Sequence, residues 1–338
     1  MISSYEKMGM SEDPLLILEN VRKYYPVQKN IIDQIFAGHI DYVRAVDDVS
    51  LFIKRGEALG LAGESGSGKT TIGRLAIGLE KLTGGRAIFD GQDLSQLSAE
   101  ELRKMRKRVQ VIFQDPMASL NPRMTLGNAI RQGLKIHYPE QASQHRDMVL
   151  NMFEKVGLTP PLFFYDKFPH QISGGQRQRV VIARALIIRP DLVLADEPVA
   201  MADVSVRALL LDLMISLKNE FNLTYLFITH DLATARYICG RIGILYLGRL
   251  MEIGDLGMIY DNPLHPYTHA LMAAVPVPNP HKRRTEPMPE GEIPNPINPP
   301  EGCRFHPRCP RAMSICSQEI PNLREQSPGH HVACWLYG

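Results

Sequence analysis

The sequence contains no uninterrupted apolar run of the ~18 residues that would mark a membrane span. It has no surplus of either charge. Its 38 Lys+Arg stand against 36 Asp+Glu, leaving +2, which argues against a dedicated nucleic-acid binder with a basic excess on one face. The opening MISSYEKMGMSEDPLLILEN has no basic start followed by an apolar core, so no signal peptide is predicted. Tryptophan occurs once and cysteine five times in 338 residues. Without export the cysteines are expected in a reducing compartment, where structural disulfides are rare. Four of them, Cys303, Cys309, Cys316 and Cys334, fall in the last 36 positions and point to a metal or cluster site. Cys239, beside Ile238 and an apolar stretch, reads as a core filler. A hydrophobic share of 44% with 22% charged residues fits a globular chain and is too apolar for disorder.

Proline marks a boundary, with 13 of the 25 lying between Pro276 and Pro328. This predicts a compact domain over 13–270, a proline-rich linker near 276–300 and a small cysteine-bearing region, 271–338 taken together. No internal repeat is visible, so one copy of the main domain is expected. Within it LLILENVRKYY, VSLFI, EALGLAG, VQVIFQ, DLVLAD, TYLFITH and RIGILYLG read as strands. TTIGRLAIGLE, SAEELRKMRKR, GQRQRVVIARALIIR and SVRALLLDLMISLKNE read as helices, apolar residues recurring at three and four. Their alternation predicts an α/β fold. The stretch from Met124 to Val156 lacks strand signals and predicts a helical insertion. Arg103, Lys104, Arg106, Lys107 and Arg108, beside Glu100 and Glu101, read as a solvated helix face.

Gly63-Glu-Ser65-Gly66-Ser67-Gly68-Lys69-Thr70-Thr71 fits G-x-x-x-x-G-K-[ST], after an apolar strand and before a helix. Glycines let backbone N–H groups wrap phosphates, and the helix N-terminus adds a positive dipole end. Lys69 can reach the β/γ-phosphates and the Thr70 hydroxyl can bind Mg²⁺. Downstream, the apolar run LVLA ends in Asp196 and Glu197. Asp196 can orient a Mg²⁺-bound water, and Glu197 can polarise the water that attacks the γ-phosphate. A second phosphate-facing helix start follows Ser173-Gly174-Gly175-Gln176. One nucleotide hardly needs both, whereas two chains packed head to tail would use both.

With that third motif the sequence closely resembles the ATP-binding cassette (ABC) ATPases, whose signature reads LSGGQ where this chain has ISGGQ. The resemblance implies an ABC-type P-loop fold: a RecA-like core, an antiparallel β subdomain, a helical subdomain about 115–180, and here a small Cys-rich C-terminal tail. It implies a Q-loop glutamine at Gln114, also a Mg²⁺ ligand, and a switch histidine at His230. The adenine-stacking aromatic falls at Tyr25, with Tyr24 as the alternative. The family's SALD loop is here Ala200-Met201-Ala202-Asp203, which keeps the aspartate and loses the serine hydroxyl. Asp203 is expected at the interface with a second ATPase subunit, and the coupling between the two sites is what the change puts in question.

Nearly the whole chain resembles ATPase subunits of oligopeptide/dipeptide-type importers: FQDPMASLNPRMTLGNAI, PHQISGGQRQRVVIARAL, NPLHPYTHALMAAVP, PEGCRFHPRCPRAMSIC and HVACW occur in that group's order. The resemblance implies a peripheral ATPase on the cytoplasmic side of the cell membrane. Its partners would be a second ATPase chain, identical or different, two transmembrane permease subunits and, indirectly, an extracytoplasmic solute-binding protein, with no nucleic acid. Oligopeptides or dipeptides are the expected cargo. Oligosaccharide (glucoside) or metal import, and a soluble regulatory ATPase, stand as alternatives. The gaps of five, six and seventeen residues between the last four cysteines lack the short spacing of structural zinc modules. The resemblance implies a [4Fe–4S] cluster on Cys303, Cys309, Cys316 and Cys334. Zinc, with His306, His330 or His331 as substitute ligands, and unliganded thiols stay open.

Overall fold

The computed structural model describes residues 14–27, 41–274 and 291–338. The expected domain start at 13 and the larger part of the proline-rich linker lie outside the described residues. The described chain forms two compact units. The first comprises the segments up to Lys54, Ala58–Leu97 and Ile228–Gly338; the second comprises Arg55–Glu57 and Ser98–Phe227.

Twelve strands are described: β1 (Pro14–Pro26), β2 (Tyr42–Lys54), β3 (Ala58–Ala62), β4 (Gly84–Phe89), β5 (Gln92–Asp93) and β6 (Val109–Ile112), then β7 (Leu192–Asp196), β8 (Thr224–Ile228), β9 (Arg241–Tyr246), β10 (Arg249–Asp255), β11 (Arg324–Ser327) and β12 (His330–Val332). The helices of eight residues or more are α1 (Lys69–Ala76), α2 (Leu126–His137), α3 (His145–Lys155), α4 (Gly174–Leu186), α5 (Val204–Phe221) and α6 (Pro266–Ala274).

The first unit carries two sheets. One is antiparallel, in the order β2-β1-β4-β5. The other runs β11-β12-β10-β9-β3, with β3 and β9 parallel from Leu59↔Arg241 to Ala62↔Ile244 and β9, β10, β12 and β11 antiparallel. β3 reads ALGLA with every residue buried, the continuous apolar pattern of a strand covered on both faces. Gly60 at its centre faces Cys239, whose Sγ would lie 3.1 Å from a Cβ there. Cys239 therefore fills the room that the glycine leaves. The antiparallel sheet is the β subdomain that the sequence implied.

The second unit holds β6 and β7, parallel from Val109↔Leu192 to Ile112↔Ala195, with β8 next to β7. Helices α2 and α3 occupy the stretch expected to be helical. Thr125 caps α2 by accepting from the Asn128 N–H at 3.3 Å. Leu126, Ile130 and Leu134 bury one face of α2, and Val149 and Phe153 one face of α3, all at complete or near-complete burial. At ~1.5–3 kcal/mol per buried side chain, this packing and not propensity holds the helices. The expected solvated face holds for Arg103, Lys104 and Arg106, with Arg103 paired to Glu100 at 2.9 Å. The helix ends at Met105, however, and Lys107 and Arg108 are half-buried, Arg108 paired to Asp191 at 2.5 Å.

Three expectations shift. The helix read over TTIGRLAIGLE stops at Ala76, because Gly78 turns to φ 66°. β4, β5 and β10–β12 carried no strand signal: β4 opens on two glycines, β10 buries Glu252 among apolar residues, and β11 is REQS. The cysteine-bearing segment 291–338 lies in the same compact unit as the phosphate loop, its β12 pairing with β10 at Glu252↔Val332.

Candidate active site

The first unit carries the loop between β3 and α1. Gly63, Gly66 and Gly68 stand at φ 149°, 77° and 100°. A Cβ at Gly63 would sit 2.1 Å from the Leu245 carbonyl oxygen, and one at Gly68 2.3 Å from that of Ala45. Only glycine lets the backbone turn this closely. Lys69, 6% exposed, points into the turn and donates to the carbonyls of Gly63 (2.8 Å) and Glu64 (2.9 Å) and to the Ser67 hydroxyl (3.3 Å). Gly68 caps α1 without a side-chain bond. The first amides of the helix thus face the loop, with Thr70 and Thr71 in its first turn. Loop amides, an ammonium and a helix N-terminus together make a polyphosphate cradle.

Tyr25 and Tyr24 project to opposite faces of β1, as successive strand residues do. The Tyr25 hydroxyl bonds the Glu80 carboxylate and meets the Thr71 hydroxyl; burial, then the Glu80 bond, push it up to about 12. Tyr24 bonds Asp47 on the other face, where Asp47 also pairs with Arg249 at 3.1 Å and Arg304 at 2.5 Å. His230, exposed, precedes the short helix Leu232–Ile238, which Asp231 caps by accepting from the Ala233 N–H at 2.9 Å.

The second unit carries the carboxylates. β7 delivers Asp196 at its end, and the next residue, Glu197, adopts φ 47°. A left-handed glutamate costs about 1–2 kcal/mol, the kind of stored strain that collects at catalytic positions. Its Oε2 accepts from Gln114 Nε2 at 3.2 Å, so two of the expected site side chains are in direct contact. At the start of α4, Ser173 Oγ accepts from the Gln176 N–H (3.3 Å) while Gln176 Oε1 accepts from the Ser173 N–H (3.0 Å). This reciprocal cap leaves Ser173 and Gly174 exposed. Gly175 has no room for a side chain, since a Cβ there would meet Val206 at 2.8 Å. Asp203 begins α5 without using its side chain as a cap and is exposed, next to Met201 at 67% and Val204 at 82% exposure. One residue that motif reading did not single out is Gln178. Buried on α4, it donates to the Pro198 carbonyl at 2.5 Å and links the signature helix to the loop after Glu197. Its only sequence signal is a glutamine on the inward face of an apolar helix.

In the C-terminal segment all four cysteines are free thiols, Cys303 and Cys316 buried and Cys309 and Cys334 half-buried. The Cys303 N–H donates to the Cys316 carbonyl at 2.8 Å, and the Met313 N–H to Cys316 Sγ at 3.5 Å. Burial, with the other three thiols nearby, pushes the Cys303 thiol up to about 11. Among the described residues, however, no three His, Cys, Asp or Glu side chains are grouped to hold a metal ion. Of the substitute ligands, His330 Nε2 is engaged by Glu252 at 2.7 Å and His306 Nδ1 by the Cys303 carbonyl at 2.9 Å.

Residues 46–200 match the family model described as ABC transporter, and residues 251–316 the one described as oligopeptide/dipeptide transporter, C-terminal region. The chain is 48% identical to the oligopeptide transport ATP-binding protein AppF of Bacillus subtilis, an alignment covering 97% of this chain and 98% of the relative. It is 44% identical to the dipeptide transport ATP-binding protein DppF of Haemophilus influenzae, over 95% and 96% of the two. Among solved structures it resembles the ATP-binding cassette MJ0796, a dimer in a post-hydrolysis state with ADP and Pi (TM-score 0.62, 31% identity, 71% of this chain and 98% of that one). It also resembles cbiO1 from Clostridium perfringens, part of the ABC transporter complex cbiONQ (TM-score 0.63, 25% identity, 74% and 92%). Near-full-length identity at this level, on a P-loop fold, places the chain in the ABC transporter family as an ATP-binding ATPase that carries the oligopeptide/dipeptide transporter C-terminal region.

Proposed function

We propose that this chain is the ATP-hydrolysing subunit that drives import of oligopeptides or dipeptides through a membrane permease. The observation that carries the reading is the likeness to oligopeptide and dipeptide transport ATP-binding proteins along nearly the whole chain, tail included. Cassettes of this family use ATP and Mg²⁺, dimerise and work with transmembrane permeases. No helix among the described residues is long and apolar enough to cross a membrane, so a separate permease would provide the path. Phe163 (57% exposed) and Leu162 (64%) on the helical segment after Gln114 are apolar surface suited to docking on it.

In this reading Lys69 and the amides of Gly63–Thr71 hold the β/γ-phosphates, and adenine stacks on Tyr25. The hydroxyl of Thr70, the side-chain carbonyl of Gln114 and the carboxylate of Asp196 are the oxygen donors that the family resemblance assigns to Mg²⁺, which when bound would neutralise charge on the phosphoryl oxygens. Glu197 accepts the proton of the attacking water as its oxygen bonds to the γ-phosphorus and the bond to ADP breaks, with His230 and Gln114 orienting the reactants. Ser173–Gln176 of a second subunit, identical or different, closes over the γ-phosphate, with Asp203 at the junction. Closure moves the permease and hydrolysis reopens it, on the cytoplasmic side of the membrane. Glu197→Gln should therefore keep ATP binding and lose turnover; a variant that still hydrolyses ATP overturns the assignment. Copurification with two polytopic membrane proteins tests the transport role, and the ligand retained by the accompanying binding protein separates peptides from sugars or metals.

For the four-cysteine tail we propose a [4Fe–4S] cluster as a structural staple, on the family's ordered pattern of cysteines. Since the thiols as arranged do not close on a metal ion, no step of turnover is routed through it. Iron with acid-labile sulfide in the purified protein supports the cluster; stoichiometric zinc or neither rejects it.

A further inference from the structure

Glu64, the second residue of the phosphate loop, is gripped by the C-terminal segment. Its carboxylate takes the Arg308 guanidinium in a fork, Nη1 to Oε2 at 2.9 Å and Nη2 to Oε1 at 3.3 Å. Its backbone N–H donates to the Tyr267 hydroxyl at 2.9 Å. Its carbonyl accepts from the Ser67 N–H (3.2 Å) and from Lys69 Nζ (2.9 Å). Every polar group of Glu64 is thus committed, the carbonyl to the loop itself and the N–H and both carboxylate oxygens to Tyr267 and Arg308.

Those residues are firmly held. Arg308 is 8% exposed in its side chain and also donates to the Tyr246 hydroxyl at 3.2 Å. Tyr246, Tyr267 and the fully buried Phe305 pack with ring centroids 4.7–5.3 Å apart beneath it. Phe305 and Arg308 both belong to the tight turn between Cys303 and Cys309, closed by N–H bonds from His306 to Cys303 (3.0 Å), Arg308 to Phe305 (3.0 Å) and Cys309 to His306 (3.2 Å). A bidentate arginine fixes direction as well as distance, and a desolvated one holds strongly. A phosphate loop must hold its amides in a concave arrangement before the nucleotide arrives; any freedom it keeps weakens binding by the entropy of ordering it.

We propose that Arg308 is a positioning residue of the ATP site: through Glu64, and with Tyr267, it preorganises the phosphate loop, so that the turn between Cys303 and Cys309 sets ATP affinity. The inference rests on the reading of Gly63–Thr71 as the ATP loop. It assigns the C-terminal segment a direct part in nucleotide binding, in addition to any structural staple formed by its thiols.

The test uses the full chain, with ATP binding read by titration of a fluorescent ATP analogue, steady-state ATPase for KM and kcat, and Trp335 emission to report that the tail stays docked. Arg308→Met should raise the dissociation constant and KM for ATP about tenfold, with a smaller effect on kcat and unchanged Trp335 emission. Glu64→Gln should give a similar shift, and the double variant should add little to either single one. Arg308→Lys should recover part of the loss. Wild-type affinity in Arg308→Met with a docked tail, or fully additive effects in the double variant, overturns the proposal. If Arg308→Met displaces the tail, Tyr267→Phe, which removes only the hydroxyl that holds the Glu64 amide, decides: weakened binding supports the proposal and normal binding overturns it. Lys69→Ala serves as the separate control. Undiminished ATP binding there sinks the reading of the loop itself, whereas loss there beside normal Arg308→Met sinks only the role of Arg308.

Discussion

Replacing Glu252 by glutamine should loosen the C-terminal hairpin. Glu252 has no exposed surface. Its Oε1 accepts from His330 Nε2 (2.7 Å) and the Leu264 N–H (2.8 Å), and its Oε2 from the His265 N–H (2.9 Å). One carboxylate therefore ties β12 and the turn before α6 to β10. Glutamine keeps the shape, but one oxygen becomes an amide NH₂ that meets a donor. Oriented best, it still faces the His265 N–H, leaving that group unsatisfied at a cost of about 1–3 kcal/mol, and the two remaining bonds lose their charge assistance. The sum is about 3 kcal/mol, roughly a hundredfold in the equilibrium. Trp335, the sole tryptophan, lies three residues past β12 and donates to the Glu319 carbonyl at 3.0 Å, so its emission reports the tail alone. With a slope of ~1–3 kcal/mol/M in urea, its unfolding midpoint should fall by about 1–3 M. An unchanged midpoint would refute the reasoning. Acid gives a second test. Burial alone would raise the Glu252 carboxyl, but His330, the Thr268 hydroxyl and the Leu264 and His265 amides outweigh it and hold it below its ordinary 4.5. Its stabilisation is full above about 4.5 and lost as pH falls through the lower folded value, so the difference between wild type and variant should shrink only below that pH.

Tyr25→Ala should weaken ATP binding by about 1–3 kcal/mol, the scale of base stacking, while Tyr24→Ala leaves affinity unchanged and loosens the Asp47 cluster; equal losses from both would refute the placement of adenine. Gly68→Ala must force a Cβ into the Ala45 carbonyl at 2.3 Å, and should cost about 2–3 kcal/mol of ATP affinity in the same titration. Gly66→Ala, where a Cβ meets nothing within 4 Å, should cost only the ~1 kcal/mol of left-handed backbone.

What the sequence made legible follows from how local each signal is. β3, the glycine turn and α1 read together because periodicity and spacing encode them within one short stretch, Ala58 to Ala76. Asp196 and Glu197 were readable because an apolar run ended in two acids. The left-handed backbone of Glu197, its bond to Gln114 across 83 positions and the Gln178–Pro198 link were not, since no pattern announces a contact between distant segments. The tail misled in another way. Its prolines and scarce apolar residues suggested an appendage, yet Phe305 and Val332 are buried and Arg304 is 2% exposed against Asp47. A few large contacts, invisible to window averages, draw it into the first unit.

The hairpin β11–β12 also decides where its sheet stops. Without it β10, with its run of buried residues, would present an open row of N–H and C=O groups, a template on which another chain could add a strand. β12 occupies that row, and β11, four exposed polar residues including Arg324 and Glu325, becomes the rim. So short and charged a border offers a neighbouring molecule little to extend, and a chain ending before Arg324 would be expected to clump through β10.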